Sequence, residues 1–272
     1  MNAPIRMAIA TAVLSLTALA LATQVVKAFE DLSKTLSTAL AAEKTTVQLG
    51  DAIRISLRVK NQAAQEVTVD QSATAFDCFE VTDPDEQPAT HVGFRGQIRS
   101  NPTRLQPSST VMIADGQDLT DKYLFQKAGR YSIRFRGDGI GVPGSNTITV
   151  DVTPGQLSEF DQLVIRLLPV RPEGWHLTKS PRAQQEVAPF GRSGVAGRGA
   201  HISRDYMRGE ALYVWLTKAE APIDPDQKPR VKSEYLGRTR GLYVYVAVDS
   251  KTPDLWPKAI DDISRALQIV KE

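Results

Sequence analysis

His176, His201 and Asp205, with Ser193 close by in sequence, are the residues whose types could assemble a nucleophile, a base and an acid. A serine nucleophile of that kind is normally raised on a sharp strand-to-helix turn of the form G-x-S-x-G. Here GRSGV, Gly191 to Val195, puts Ser193 between Arg192 and Gly194 with no strand pattern before it. The elbow is absent, and no catalytic residue is assigned. With His91 the chain has three histidines, and Cys78 is its one cysteine. Ligands so scattered lack the spacing of a zinc site. EAPIDPDQKPR, Glu220 to Arg230, lacks the glycine turn and closing glutamate of a calcium loop. No metal ligand, cofactor or cofactor-binding residue is assigned.

The stretch Pro189 to Arg204, PFGRSGVAGRGAHISR, offers a different chemistry. Backbone amides in a glycine-rich loop can cradle an anion, and Arg192, Arg198 and Arg204 stand among Gly194 and Gly197. From Arg166 to Arg208 eight Arg and Lys stand against three acids, a local excess of +5. Such an excess suits an acidic partner, a membrane face or a polyanion. The spacing matches neither G-x-x-x-x-G-K-[ST] nor G-x-G-x-x-G, so a nucleotide is not implied. Arg192, Arg198, Arg204, Gly194 and Gly197 form the candidate anion or partner loop; a solvated, exposed loop is the alternative.

The elements that must position these residues follow a leader. Met7 to Val26 carries no charge, follows Arg6 and is rich in Ala, Leu and Val, the pattern of an export signal. Cleavage is expected after Ala22 or Ala28; an uncleaved anchor is the alternative, since about 20 apolar residues can span a bilayer. Residues 1–28 are thus read as signal peptide or anchor, and the rest as extracytoplasmic: periplasmic, cell-surface or secreted. Cys78 is expected to be a small buried hydrophobe. Residues 29–44 are read as a spacer, in which Leu32, Leu36 and Leu40 allow a short one-sided helix.

From Thr45 the period changes to two. Ile53, Ile55, Leu57 and Val59 alternate with Arg54, Ser56, Arg58 and Lys60, as in a strand with one buried and one wet face. Further strands are expected around Val67 and Val69, Phe76 to Val81, Ser109 to Ile113, Tyr123 to Gln126, Tyr131 to Arg136 and Thr147 to Val152, with Asp83 to Pro88 as a turn. Seven or so short strands read as an all-β immunoglobulin-like sandwich over residues 45–153. Tyr131 stands two residues before Ile133, the spacing of a corner tyrosine to a second cysteine that this chain replaces.

LQPSSTVMIADGQDLTDKYLFQKAGRYSIRFRG followed by SNTITVDV resembles the β-sandwich domain of secreted lysine-specific, deuterolysin-type metalloendopeptidases. The resemblance is confined to residues 45–153. That family's zinc site is an H-E-x-x-H on a helix, which this chain does not contain. No catalytic residue carries over, and neither does the protease activity.

After Pro154 and Gly155 the spacing of Phe160, Leu163, Val164, Leu167 and Leu168 is helical, with Ser158 as cap and Pro169 as stop. Strands are expected at EGWHLTK after Pro172, at Ala200 to Arg204, at Ala211 to Thr217 and at Gly241 to Val248, and a closing helix carries Trp256, Ile260, Ile263, Leu267 and Val270. Residues 156–272 read as a smaller α+β domain, an antiparallel sheet with two helices, in which Trp175, Trp215 and Trp256 serve as core anchors.

The 272 residues are 42% hydrophobic and 24% charged, the balance of a folded protein. A net charge of +2 argues against a nucleic-acid partner. The chain is read as an exported, non-enzymatic binding or interaction protein for an unknown protein or surface polymer, touching the membrane only if the leader stays. The alternative is a degenerate or accessory member of a secreted, metallopeptidase-related hydrolase system. Fractionation with amino-terminal sequencing is expected to find a chain that starts after Ala22 or Ala28 outside the cytoplasm. A full-length species released from membranes only by detergent would contradict this.

Overall fold

The computed structural model describes residues 35–70, 78–93, 101–137, 142–179, 197–205, 210–220, 231–249 and 256–270. Among the described residues the chain is β-rich with two α-helices. The leader lies outside the described residues, among which no helix is long and apolar enough to cross a membrane.

Two sheets build the first half. One has the order β1 (Leu36–Ala42), β3 (Arg54–Asn61), β7 (Thr110–Asp118), all antiparallel. The other runs β2 (Thr46–Gln48), β9 (Thr147–Thr153), β8 (Gly129–Phe135), β5 (Phe79–Thr82), with β2 parallel to β9 and the remaining pairs antiparallel. A ribbon of β4 (Val67–Asp70) and β6 (Pro102–Leu105) completes the set. Ile55, Leu57 and Val59 of β3 and Tyr131, Ile133 and Phe135 of β8 belong to a single apolar core. Alternation in the sequence thus becomes burial: each second residue of β3 is inside and its neighbours are outside. Cys78 lies in this core.

Leu36 to Ala42 is neither the spacer nor the short helix that the spacing allowed. The segment is a strand in register with β3, Leu36 opposite Asn61 and Leu40 opposite Leu57. Leucines four apart satisfy a period of two as well as one of 3.6, and both are buried. The outer edge of β1 is closed by a side chain: Asn146 Oδ1 accepts from Leu40 N at 2.9 Å while Asn146 Nδ2 donates to Leu40 O at 3.0 Å. An edge that would invite pairing with another chain is thereby blunted.

Tyr123 to Gln126 is not a strand either. It follows a 3-10 turn, and only Tyr123 makes a bridge, to His91. Its apolar alternation serves two cores, with Tyr123 and Phe125 in the first and Leu124 in the second. The turn at Asp83 forms as expected: Asp83 Oδ1 accepts from Asp85 N and Gln87 N, both at 2.9 Å. The Gln87 bond leads in holding the Asp83 carboxyl below its ordinary pKa.

The second half is one antiparallel sheet, ordered β10 (His176–Lys179), β11 (Gly197–Asp205), β12 (Glu210–Thr217), β14 (Leu242–Asp249), β13 (Val231–Thr239). Its helices are α1 (Glu159–Leu167) and α2 (Trp256–Leu267). Ser158 caps α1 by accepting from Asp161 N at 3.1 Å, and its hydroxyl donates to Asp161 Oδ2 at 2.7 Å. Leu163, Val164 and Leu167 of α1 join Ile263 and Leu267 of α2 on one side of the sheet, against Leu212, Val214, Leu216, Val244 and Val246. Strand β13 carries no clean alternation, because a bulge between Tyr235 and Gly237 shifts its register.

The two halves share material. Val92 and Leu124, from the first half, are buried in the second core. The backbone holds Val92 there: Val92 N donates to Lys122 O at 2.7 Å and Lys179 N donates to Val92 O at 2.8 Å, along β10. Lys179 Nζ, with 7% of its side chain exposed, reaches Asp161 Oδ1 at 2.9 Å across the same corner. Val92→Ala is therefore expected to cost about 2 kcal/mol and to lower the midpoint of one cooperative denaturant transition. Two separate transitions with the second unaffected would contradict a shared core.

Candidate functional site

Both helices lie on one side of the second sheet, and the strand period assigns the other side to a different set of residues. Register runs Gly199 opposite Trp215, Trp215 opposite Tyr245, and Tyr245 opposite Tyr235, so one row crosses four strands. Trp215, Tyr245 and Ala247 form a small core of their own, with Tyr213, Tyr235 and Tyr243 half-buried around it. The Tyr235 and Tyr245 ring centroids are 5.2 Å apart, and those of Tyr235 and Tyr243 6.1 Å. Arg238 Cζ stands 4.4 Å from the Tyr243 ring, within the range of a cation–π contact.

The indole of Trp215 dictates what β11 can be. A Cβ on Gly199 would fall 2.7 Å from Trp215 Cε3, and one on Gly197 would fall 2.5 Å from Trp215 Nε1 and 2.8 Å from Leu216 O. The ring lies across two glycines because no other residue leaves room for it. Trp215 is 2% exposed, and its Nε1 has no hydrogen-bond partner among the described residues. A buried N–H in that state is costly.

These findings revise the glycine and arginine loop. Gly197, Arg198 and Arg204 belong to strand β11 rather than a loop, and Gly197 serves the packing of Trp215. Arg198 is exposed, its Cζ 5.6 Å from the Phe160 ring. Arg192, Gly194 and Ser193 lie outside the described residues. His176 stands in register with Ser203, and His201 with Thr178 on one side and Tyr213 on the other, so the histidines hold diagonal positions on neighbouring strands. Among the described residues no group of three or more His, Cys, Asp or Glu could hold a metal. Of the three tryptophans, Trp215 is buried and Trp175 packs half-buried on the helix-side core. The aromatic density of ALYVWLT and GLYVYVAV was visible in the sequence; what it could not reveal was that Tyr213, Trp215, Tyr243 and Tyr245 share one face with Tyr235.

No protein-family model matches the chain, and no curated protein does. Among solved structures it is similar to a β-glucosidase from Erythrobacter marinus, at 12% identity and a TM-score of 0.26 over 44% of this chain and 15% of that one. A β-glucosidase from Listeria innocua in complex with isofagomine gives 10% identity and a TM-score of 0.27 over 45% and 17%. The chain thus spans less than a fifth of these glucosidases. The sporulation control protein Spo0M from Bacillus subtilis is covered over 98% of its length by 86% of this chain, at 11% identity and a TM-score of 0.25. TM-scores of this size carry no argument about fold or activity.

Gly199→Ala is expected to destabilise the chain by about 1–3 kcal/mol through overpacking against the indole and to shift tryptophan emission. Unchanged stability together with lost anion binding would instead favour a loop that acts through its backbone amides.

Proposed function

We propose that this chain is an exported, non-enzymatic interaction protein that binds a partner protein through the aromatic side of its second sheet. The observation that carries this reading is the row Trp215–Tyr245–Tyr235, bordered by Tyr213, Tyr243 and Arg238. Trp, Tyr and Arg are the residue types in which binding energy concentrates, and they act from well-packed, desolvated patches. Trp215 and Tyr245, buried within the chain itself, hold the row in place, and the half-buried Tyr213, Tyr235 and Tyr243 supply contact area whose position is fixed by ring packing. Little side-chain entropy remains to be lost on binding.

Export is supported by the uncharged run from Met7 to Val26 after Arg6. An immunoglobulin-like reading of the first half is supported by Tyr131, whose hydroxyl accepts from Lys127 N at 3.2 Å and donates to Lys127 O at 3.1 Å. That upstream backbone contact is the one a corner tyrosine makes, and burial pushes the Tyr131 hydroxyl pKa up. Descent from the sandwich of secreted metalloendopeptidases is a proposal of ancestry only, resting on the Leu105 to Val152 resemblance.

Capture from an envelope extract tests the reading. The tagged full chain should retain a partner that Tyr235→Ser/Tyr243→Ser holds about 30-fold more weakly, the effect of a hot-spot loss of about 2 kcal/mol, at a temperature where melting curves show both chains folded. Equal capture by both, or no specific capture by the native chain, would contradict it.

A further inference from the structure

The sheets of this chain close their edges by several devices. Asn146 bonds both backbone groups of Leu40 on β1, Lys179 N on β10 donates to Val92 O, and two register shifts break the run of β7 along β3. Interruptions of that kind keep a strand edge from pairing with another chain. Strand β13 is the last strand of the five-stranded sheet. Its far end is held at Arg238, whose N–H donates to Val270 O at 3.0 Å and whose carbonyl accepts from Val270 N at 2.9 Å. From Val231 to Glu234 its backbone pairs only with β14 among the described residues.

Edge strands often carry charge, and a charge of one sign repels a second copy of the same strand. Strand β13 carries both signs. Lys232 stands in register with Val248 and Glu234 with Val246, so the two positions share one side of the sheet and flank Ser233. Glu234 is exposed and makes no ion pair among the described residues. An antiparallel copy with Ser233 opposite Ser233 brings position 232 against 234 twice, once on each side of the centre. Each lysine then faces a glutamate across the strands, with Cβ atoms about 5 Å apart. Val231 falls opposite Tyr235, a β-branched residue against an aromatic one, which is also a favoured cross-strand pair. A shift of two residues either way sets Lys232 against Lys232 or Glu234 against Glu234, so the charges select a single register.

We propose that a second copy of this chain adds to the edge of β13, antiparallel about a two-fold axis at Ser233, and joins the second sheets of both copies into one. Main-chain bonds supply the attraction, and Lys232 of each copy facing Glu234 of the other fixes the register. The same strand serves both copies, as a two-fold interface requires. This pairing is independent of what the aromatic side binds.

Sedimentation equilibrium of the full chain tests the proposal. The native chain should exchange between monomer and dimer. Lys232→Glu and Glu234→Lys each turn two attractions into two repulsions and should weaken the dimer about tenfold. Lys232→Glu/Glu234→Lys exchanges the charges and should restore the native dissociation constant. An equimolar mixture of the two single variants should form the dimers that neither forms alone. Melting curves establish that each variant is folded, and association through the leader or the aromatic side would be the same in every chain. A native chain that stays monomeric, or single variants that dimerise like the native chain, would overturn the proposal. So would an exchanged chain as weak as the single variants, or a mixture no more dimeric than its components.

Discussion

Val92 is the point on which the arrangement of this chain depends. Strand β10 ends the five-stranded sheet on the side away from β13. Val92 and Leu124 fill that end from the first half, with the Lys179 N to Val92 O bond setting the depth of insertion. Burial of a few apolar side chains contributes several kcal/mol, comparable with the whole stability of a domain. The helix-side core is thereby completed by residues of both halves.

On that opposite side geometry and composition are coupled. The indole of Trp215 can lie flat only where β11 offers glycines, and Gly197 and Gly199 leave that room. Tyr245 then pairs beside the indole, Tyr235 beside Tyr245, and Arg238 stacks on Tyr243. Each ring restricts the next, which is the rigidity a binding surface needs.

Much of the architecture was legible because burial on one face imposes a period. Strands β3, β12 and β14 and helix α1, with Ser158 at its cap, stand where alternation or 3.6-residue spacing put them. The failures have physical causes. Leu36 and Leu40 fit two periods at once, and only pairing with β3 decides between them. Tyr123, Leu124 and Phe125 alternate because two cores compete for them. Strand β13 is hidden by its bulge. The glycines of β11 carry no mark of the tryptophan above them, since that contact joins residues from different strands. Of the aromatic side, the residue types were legible and their common face was not.

The aromatic side of the second sheet is proposed to meet a protein partner. Hydroxyl-radical footprinting of the full chain, purified and then in envelope extract, tests it most directly, since it reads each tyrosine separately. The account predicts that oxidation of Tyr235 and Tyr243 falls in the extract while that of exposed Met112, on the far sheet, does not follow it. Equal oxidation of Tyr235 and Tyr243 under both conditions would contradict it.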